Sequence, residues 1–425
     1  MNICEVWCCR VVALALLLCA APALAIDYSL TGFGTLGYAR SDQKFEYLRH
    51  IDDGGTLKVD SLIGLQGDVR FDPQWNAGIQ IVSSASRMRD DGTETRIRWA
   101  FVGYRPDNDW LFRFGRLRPP VLFNTQLSEV GMTYEQVRVP QEVYSLSPVF
   151  DLDGVAFTRI WSLESSDVSL DGYFGDSKIK LRRPYQRDYL QTDNLGQYLP
   201  QKLKFMGLVL SRSAGQWQIR GGVHQAITQA NLINGIEVFF DPVPLTIPAA
   251  PPLGGTLYLP GPTVKSLVTT AITIGVDWHS GHWHVSGEYG ERSIKDFISG
   301  LASKSAHVTI ERKIDQLTPY VSYARLLSPS RTRRLYRDID STPVPLGAQG
   351  APFFLPANFH RILADGTFVY DQHSLTIGTS YAISPSARLK IEWMRTKVGL
   401  RSAFVDGDVH RKSFNVYSMA YNFAF

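Results

Sequence analysis

The chain has 425 residues, a net charge of +4, 44% hydrophobic residues and 12% aromatic residues. This charge is mild for the length and argues against a nucleic-acid-binding protein, which would carry a concentrated basic face. The composition is also too apolar for a disordered protein. A chain of this length forms either two or three soluble domains or one large β-barrel.

The first 25 residues have the pattern of a secretory signal peptide. An apolar core at 11–20 follows Arg10, and Ala23-Leu24-Ala25 supplies a small-residue cleavage site. All four cysteines lie inside this segment: Cys4, Cys8, Cys9 and Cys19. We therefore expect export and a mature chain, 26–425, that contains neither disulfides nor a thiol nucleophile.

Beyond residue 25 the hydrophobic pattern has a period of two, in segments of about ten residues. In one such segment, Leu389, Ile391 and Trp393 alternate with three charged residues. Strict alternation predicts β-strands whose two faces meet different solvents.

Short and long connections alternate between these segments. The seven short ones lie near 72–76, 106–109, 164–166, 213–215, 280–281, 314–316 and 384–386. The eight long ones lie near 40–59, 86–95, 117–150, 176–202, 229–265, 294–304, 329–366 and 399–410. Short turns on one rim and long loops on the other are typical of outer-membrane barrels. The sequence therefore predicts an all-β fold: a single transmembrane antiparallel β-barrel of about 16 strands, with short periplasmic turns and long extracellular loops.

Four aromatic-rich segments carry a resemblance to a known family. They are 32–38, 110–116, 318–324 and the closing segment 421–425. In their order and in the strand number, the chain resembles the Gram-negative outer-membrane porins over essentially its whole mature length. The resemblance implies a homotrimer in the outer membrane of a Gram-negative bacterium, in contact with lipid and lipopolysaccharide, with a water-filled pore in each subunit.

The last predicted strand has one unbroken apolar face. Its residues are Tyr417, Met419, Tyr421, Phe423 and the terminal Phe425. This face resembles the signal that the barrel-insertion machinery reads, so we expect that machinery to be a partner.

The loop near 117–150 is the candidate pore constriction. At more than thirty residues it exceeds ordinary connections, and loops of this length are usually functional or disordered. The resemblance implies that it folds inward and narrows the pore. Its charged residues include Glu129, Glu135, Glu142, Arg118 and Arg138.

Arginines of the adjacent strands complete the predicted constriction: Arg96, Arg98, Arg113 and Arg116. We assign Arg96, Arg98 and Arg113 inward because their neighbours Ile97, Trp99, Phe112 and Phe114 must face lipid. An acidic loop opposite a basic wall would set a transverse field across the narrowest water. The alternative is that these charges only solvate the lumen. A barrel this wide cannot be filled by side chains, so we expect an aqueous interior.

Seven tryptophans are predicted to form interfacial girdles rather than ligand-stacking surfaces. They are Trp75, Trp99, Trp110, Trp217, Trp278, Trp283 and Trp393.

One histidine-rich hairpin is a weak candidate for a metal site. If Ser280-Gly281 is the turn, then Asp277, His279, His282 and His284 share the lumen face. Solvated histidines at a rim are the simpler interpretation, so we expect neither a metal nor another cofactor.

Three further patterns have limited functional meaning. The Gly32-x-Gly34-x-x-Gly37 pattern matches a dinucleotide fingerprint but lacks the following helix. The proline-rich composition of loops 229–265 and 329–366 resists helix and sheet and suggests extended cover at the outer mouth. The basic run 331–337 would contact lipopolysaccharide phosphates or anionic solutes, or be simply solvated.

The sequence favours an outer-membrane porin for passive diffusion of ions and small hydrophilic solutes. The alternatives are a channel selective for a sugar, phosphate or carboxylate, and a non-conducting barrel with a binding or hydrolytic role. We expect no enzyme, because no motif places a nucleophile beside a base.

Overall fold

The computed structural model describes residues 26–183, 197–229, 240–248, 254–264, 266–345, 355–407 and 411–425. The predicted signal peptide, 1–25, lies outside the described residues.

Most of the described residues form antiparallel strands. These strands are β1 (Asp27–Ser41), β2 (Glu46–Tyr47), β3 (Leu62–Arg70), β4 (Trp75–Ala85), β5 (Thr93–Tyr104), β6 (Trp110–Leu117), β7 (Leu152–Leu163), β8 (Ser166–Arg183), β9 (Gln197–Ala214), β10 (Trp217–Gln229), β11 (Phe240–Ile247), β12 (Gly255–Thr263), β13 (Ser266–Ser280), β14 (Trp283–Ile294), β15 (Ser303–Arg312), β16 (Leu317–Leu327), β17 (Tyr370–Ser384), β18 (Ala387–Ser402), β19 (Val405–Asp406) and β20 (Ser413–Ala424). The helices are α1 (Gln141–Tyr144), α2 (Ser330–Ser341) and α3 (Phe359–Asp365), with a 3-10 turn at Gly131–Thr133.

Sixteen of the described strands close into one barrel, in which β1 pairs with both β3 and β20. The remaining strands form two small sheets within the long loops, β2 with β19 and β11 with β12. Each of the predicted short turns joins two adjacent barrel strands. The predicted fold is confirmed. It could be predicted because strand alternation and connection length are local properties that the sequence carries directly.

The outer face of the barrel is apolar. Leu208, Ile274 and Ile391 point outward and are about half exposed, as are many similar residues around the wall. A closed sheet is the form in which strands can cross hydrocarbon, because every backbone donor and acceptor finds a partner. None of the described helices is long and apolar enough to cross a membrane.

Tryptophans mark the rim that carries the short turns. Trp75, Trp110, Trp217 and Trp283 are the first residues of β4, β6, β10 and β14, each just after a short turn. This position suits the membrane–water interface, where an amphipathic ring meets both phases.

Trp99 was predicted to face lipid, and this prediction is wrong. The pairing of β4 with β5 is irregular between Gln80 and Ile81, and Arg98 is the extra residue of this bulge. A bulge sets two residues against one, so Arg98 and Trp99 both lie opposite Gln80 on the lumen side. There the indole nitrogen of Trp99 is buried.

The barrel closes along β1 and β20. The Gly32 amide donates to the Phe425 carbonyl at 2.7 Å, and the Phe425 amide donates back at 2.9 Å. The rings of Phe425 and Phe423 lie where Cβ atoms on Gly32 and Gly34 would be. Two glycines of the dinucleotide-like pattern thus give room to aromatic rings.

The proline-rich loops contain regular structure, contrary to prediction. Strands β11 and β12 pair within 229–265, with Pro242 opposite Pro260. A free-standing pair has open edges, where proline breaks no ladder. Helix α2 begins after Pro329, a position that proline tolerates, and buries Tyr336 and Ile339 against α3.

One side of the lumen is packed rather than wet. The cluster there contains Leu117, Val121, Leu122, Val143, Val149, Leu152, Tyr173, Leu203 and Phe205. The last three belong to the inner wall, and most of the others belong to the loop between β6 and β7. The prediction of an aqueous interior is wrong here, because a barrel too wide for side chains to fill can hold a whole loop.

Candidate functional site

The segment 118–151, here called the inward loop, lies inside the barrel and contacts several sides of its wall. The Phe123 amide donates to Glu288 of β14 at 2.7 Å. Farther along the loop, Gln136 Nε2 donates to Glu311 of β15 at 2.6 Å. These contacts join the loop to two adjacent strands that lie 165 and 175 positions farther along the chain.

Two apolar side chains of the inward loop fit onto wall glycines. The ring of Phe123 lies 2.4 Å from where a Cβ on Gly275 would be. Leu146 lies 2.5 Å from the same position on Gly290. Larger residues at these glycines would displace the loop, so the wall sequence sets the position of the loop.

Glu129 is the most strongly paired acid of the inward loop. It is 3% exposed and accepts ion pairs from Arg98 at 2.8 Å, Arg118 at 3.0 Å and Arg87 at 3.1 Å. Burial opposes its ionisation, but the guanidinium groups outweigh burial and hold the pKa of Glu129 below its usual value. Three guanidinium groups outnumber this carboxylate and that of nearby Asp151, so this corner of the lumen keeps an excess of positive charge.

Arg138 connects the inward loop to the first extracellular loop and to the wall. Its guanidinium donates to both oxygens of Asp60, at 3.0 and 2.6 Å, and to Ser418 Oγ at 2.9 Å. Glu392 of β18 lies 3.7 Å away. Such a two-pronged contact fixes orientation as well as charge.

The other two predicted acids of the loop lie on another side of the lumen, against the adjacent strands β17 and β18. Glu135 pairs with Arg388 at 2.7 Å and also accepts from Ser380. Glu142 is buried and accepts from the neutral amide of Gln372 at 2.8 Å. The predicted constriction acids are therefore divided between two sides of the wall, Glu129 beside β5 and the other two beside β17 and β18.

Lys390 of β18 holds the backbone of the inward loop. Its buried ammonium donates to the carbonyls of Gly131, Tyr134 and Gln136 at 2.6–2.8 Å. An ammonium carries three donors, and all of them are used here.

The arginines of the wall divide between the two faces. Arg96 lies inward beside Glu94, and Arg113 lies inward and donates to Thr158 Oγ1 at 3.2 Å. Arg116 was predicted at the constriction, but it lies on the outer face, where it pairs with Asp153 at 2.8 Å. Arg113 and Arg116 are three positions apart, so strand alternation directs them to opposite faces.

A cavity of about 440 Å³, lined by both charged and apolar side chains, lies between the inward loop and the extracellular loops. Its basic lining residues are Arg49, Arg87, Arg138, Lys180, Arg182 and Arg292. Its acidic lining residues are Asp60 and Glu129. Two further acids, Asp90 and Asp406, pair with Arg182. The cavity remains cationic when they are included.

An apolar pocket of about 100 Å³ adjoins this cavity. Its walls include Phe205, Leu267, Ile294 and Phe297, and it shares Val149 and other lining residues with the cavity. A ligand that reached both spaces would meet cationic groups at one end and hydrocarbon at the other.

The histidine-rich hairpin has a different register from the predicted one. Gly281 and His282 form the turn, so that His279 pairs with His284. His282 was predicted to share the lumen face with the others; it lies in the turn instead. Asp277, His279 and His284 come together near the periplasmic rim.

Several residues that position the inward loop were not predicted from the sequence. Arg87, Arg388, Lys390, Glu288 and Glu311 all hold it. The polar side of the alternating segment 388–393 was a usable signal, since a charged inner face must find partners. Nothing local indicates which loop residue each would contact.

No family model and no curated protein sequence matches the chain. Solved structures do match. OmpT of Vibrio cholerae, in a trimer form folded in vitro, has a TM-score of 0.52 at 11% identity, over 94% of this chain and 99% of that chain. OmpF of Salmonella typhi, in complex with daunomycin, has a TM-score of 0.51 at 8% identity, over 94% and 97%. OprB of Pseudomonas putida has a TM-score of 0.51 at 10% identity, over 94% of each chain. At these identities the likeness concerns the fold.

Proposed function

We propose that the chain is an outer-membrane channel for passive diffusion of small hydrophilic solutes and ions, because it has the sixteen-stranded fold of the Gram-negative outer-membrane porins. The inward loop is the constriction of this channel. Its ties to the wall, through Glu129, Arg138 and Lys390, support a fixed rather than a mobile narrowing.

The channel favours anions. The observation that carries this proposal is the excess of basic side chains around the 440 Å³ cavity, with three arginines on Glu129 beside it. A single-sign charge in a confined space of low dielectric raises the local concentration of the opposite ion.

Planar-bilayer recording of the tag-free protein tests both parts. We expect stepwise conductance, with current roughly proportional to voltage. In a tenfold KCl gradient the reversal potential should have the sign for chloride preference. A bilayer that stays sealed after verified insertion would refute the channel. A reversal potential at zero or of cation sign would refute the anion preference alone.

A second candidate is a channel selective for carboxylates that carry an apolar body. The apolar pocket adjoining the cationic cavity favours it. Hexanoate or benzoate should then reduce chloride current saturably, and at lower concentration than acetate does. Equal effects of the three anions would leave the general channel as the better description.

We further propose a homotrimer without enzymatic activity. The trimer form of the Vibrio cholerae OmpT structure supports the first part, and conductance steps in groups of three would test it. Helix α2, with Arg331, Arg334 and Arg337, would face the phosphates of lipopolysaccharide. The barrel-insertion machinery would recognise the aromatic face of β20. Hydrolysis of ester or peptide substrates by the purified barrel would contradict the proposed absence of enzymatic activity.

A further inference from the structure

The strongest unassigned cluster lies at the end of the β13–β14 hairpin. Asp277 and His279 of β13 and His284 of β14, here called the His–Asp cluster, face the lumen near the short-turn rim. The outward residue between the first two, Trp278, packs against Trp217 on the opposite face. The hairpin is therefore oriented by its outer aromatic contacts, independently of the cluster.

The possible ligand atoms of the His–Asp cluster lie close together. His279 Nε2 and His284 Nε2 each lie 2.7 Å from a different oxygen of Asp277. The two imidazole rings stack with centroids 4.0 Å apart, and all three ligand atoms lie within 4.8 Å of one another. Two imidazoles and one carboxylate are a ligand set that zinc and similar divalent ions accept at about 2.0–2.2 Å.

The other ring nitrogen of His284 already has a carboxylate partner. His284 Nδ1 is bonded to Glu311 at 2.8 Å, and Glu311 accepts from Gln136 of the inward loop at 2.6 Å. A metal-bound histidine usually donates its other nitrogen to a carboxylate, which fixes the ring and raises its basicity. The arrangement of His284 matches this pattern.

The site is open on one side. The His279 side chain is 64% exposed, so its ring can adjust by the small shift that a bound ion requires. The exposed side leaves room for water as a fourth ligand, the pattern of a metal site with an open position.

We propose that the His–Asp cluster is a binding site for a divalent transition-metal ion of the zinc type. His279 Nε2, His284 Nε2 and one Asp277 oxygen are its ligands, and Glu311 is the carboxylate that orients His284. Because Glu311 also holds Gln136, the bound ion is joined to the inward loop through one hydrogen-bonded chain.

Isothermal titration of the tag-free barrel in detergent with ZnCl₂ tests the site. We expect one ion per chain, and an affinity at least tenfold lower in H279A, an exposed position that does not disturb folding. H282A is the matched control, since His282 belongs to the same hairpin but lies in its turn. It should bind zinc as the unaltered chain does.

E311Q tests whether Glu311, through its hydrogen bond to His284, supports metal binding. The loss of such a partner typically lowers metal affinity about 10- to 100-fold. Absence of binding by the unaltered barrel at millimolar zinc would overturn the proposal. So would equal losses in H279A and H282A, or unchanged affinity in H279A. These outcomes do not depend on conductance, so they are separate from the proposed channel activity.

Discussion

Replacement of Glu129 by glutamine removes one charge and little volume. Glu129 is 3% exposed, and three arginines lie within 3.1 Å of it. The neutral amide would leave their guanidinium groups buried without a counter-charge. Breaking a buried ion pair from one side costs about 3–5 kcal/mol. We therefore expect E129Q to lose about that much free energy of unfolding.

The assay is equilibrium urea unfolding of the refolded barrel, with tryptic cleavage of the inward loop as a local probe. E142Q is the matched control. Glu142 is equally buried in the same loop, but it bonds to the neutral amide of Gln372 and has no ion pair among the described residues. We expect E142Q to change stability by less than about 1 kcal/mol. Equal losses in both variants would refute the reasoning, because charge balance would then not set the stability.

Three further predictions concern the same loop and wall. R87Q should reduce the anion preference measured by reversal potential, whereas R116Q, on the outer face, should leave it unchanged; equal shifts would contradict the assignment of faces. G290L should lower the free energy of unfolding by about 1–3 kcal/mol, because the new side chain would displace Leu146. Gly221 faces lipid, so G221L should leave stability nearly unchanged, and thermal unfolding would compare the two variants. The pKa of Glu129 in the folded protein lies below its usual value. The stabilisation by its charge is therefore complete at any pH above the ordinary carboxyl pKa, and it is lost only as pH falls through the lowered pKa. The loss of unfolding free energy in E129Q should therefore be the same at about pH 5 and 7, and a smaller loss at pH 5 would contradict the pairing.

The architecture was largely predictable because barrel signals are local. Segments such as 388–393 carry their two faces in the order of their residues, and the turn near 384–386 is short enough to recognise. Pairing partners then follow from chain order, since each barrel strand pairs with its neighbours.

The candidate site was less predictable because single-residue shifts reverse faces. The bulge at Arg98 turned Trp99 inward, and a turn moved by one residue removed His282 from the lumen. The destination of the inward loop depends on contacts such as Lys390 with Gly131, more than 250 positions apart. No local pattern encodes such a contact.

The seam between β1 and β20 has a consequence for biogenesis. It joins Thr35 to Asn422, 387 positions apart, through a side-chain bond of 2.7 Å beside the paired backbones. Until it forms, the sheet has two open edges, and the hydrocarbon of the bilayer offers no hydrogen-bond partners to their backbone amides and carbonyls. Contacts this distant in the chain are also the slowest to find. Insertion into the bilayer must therefore be coupled to closure of the barrel. A chain that stops before its last strand is added would not be stable in lipid.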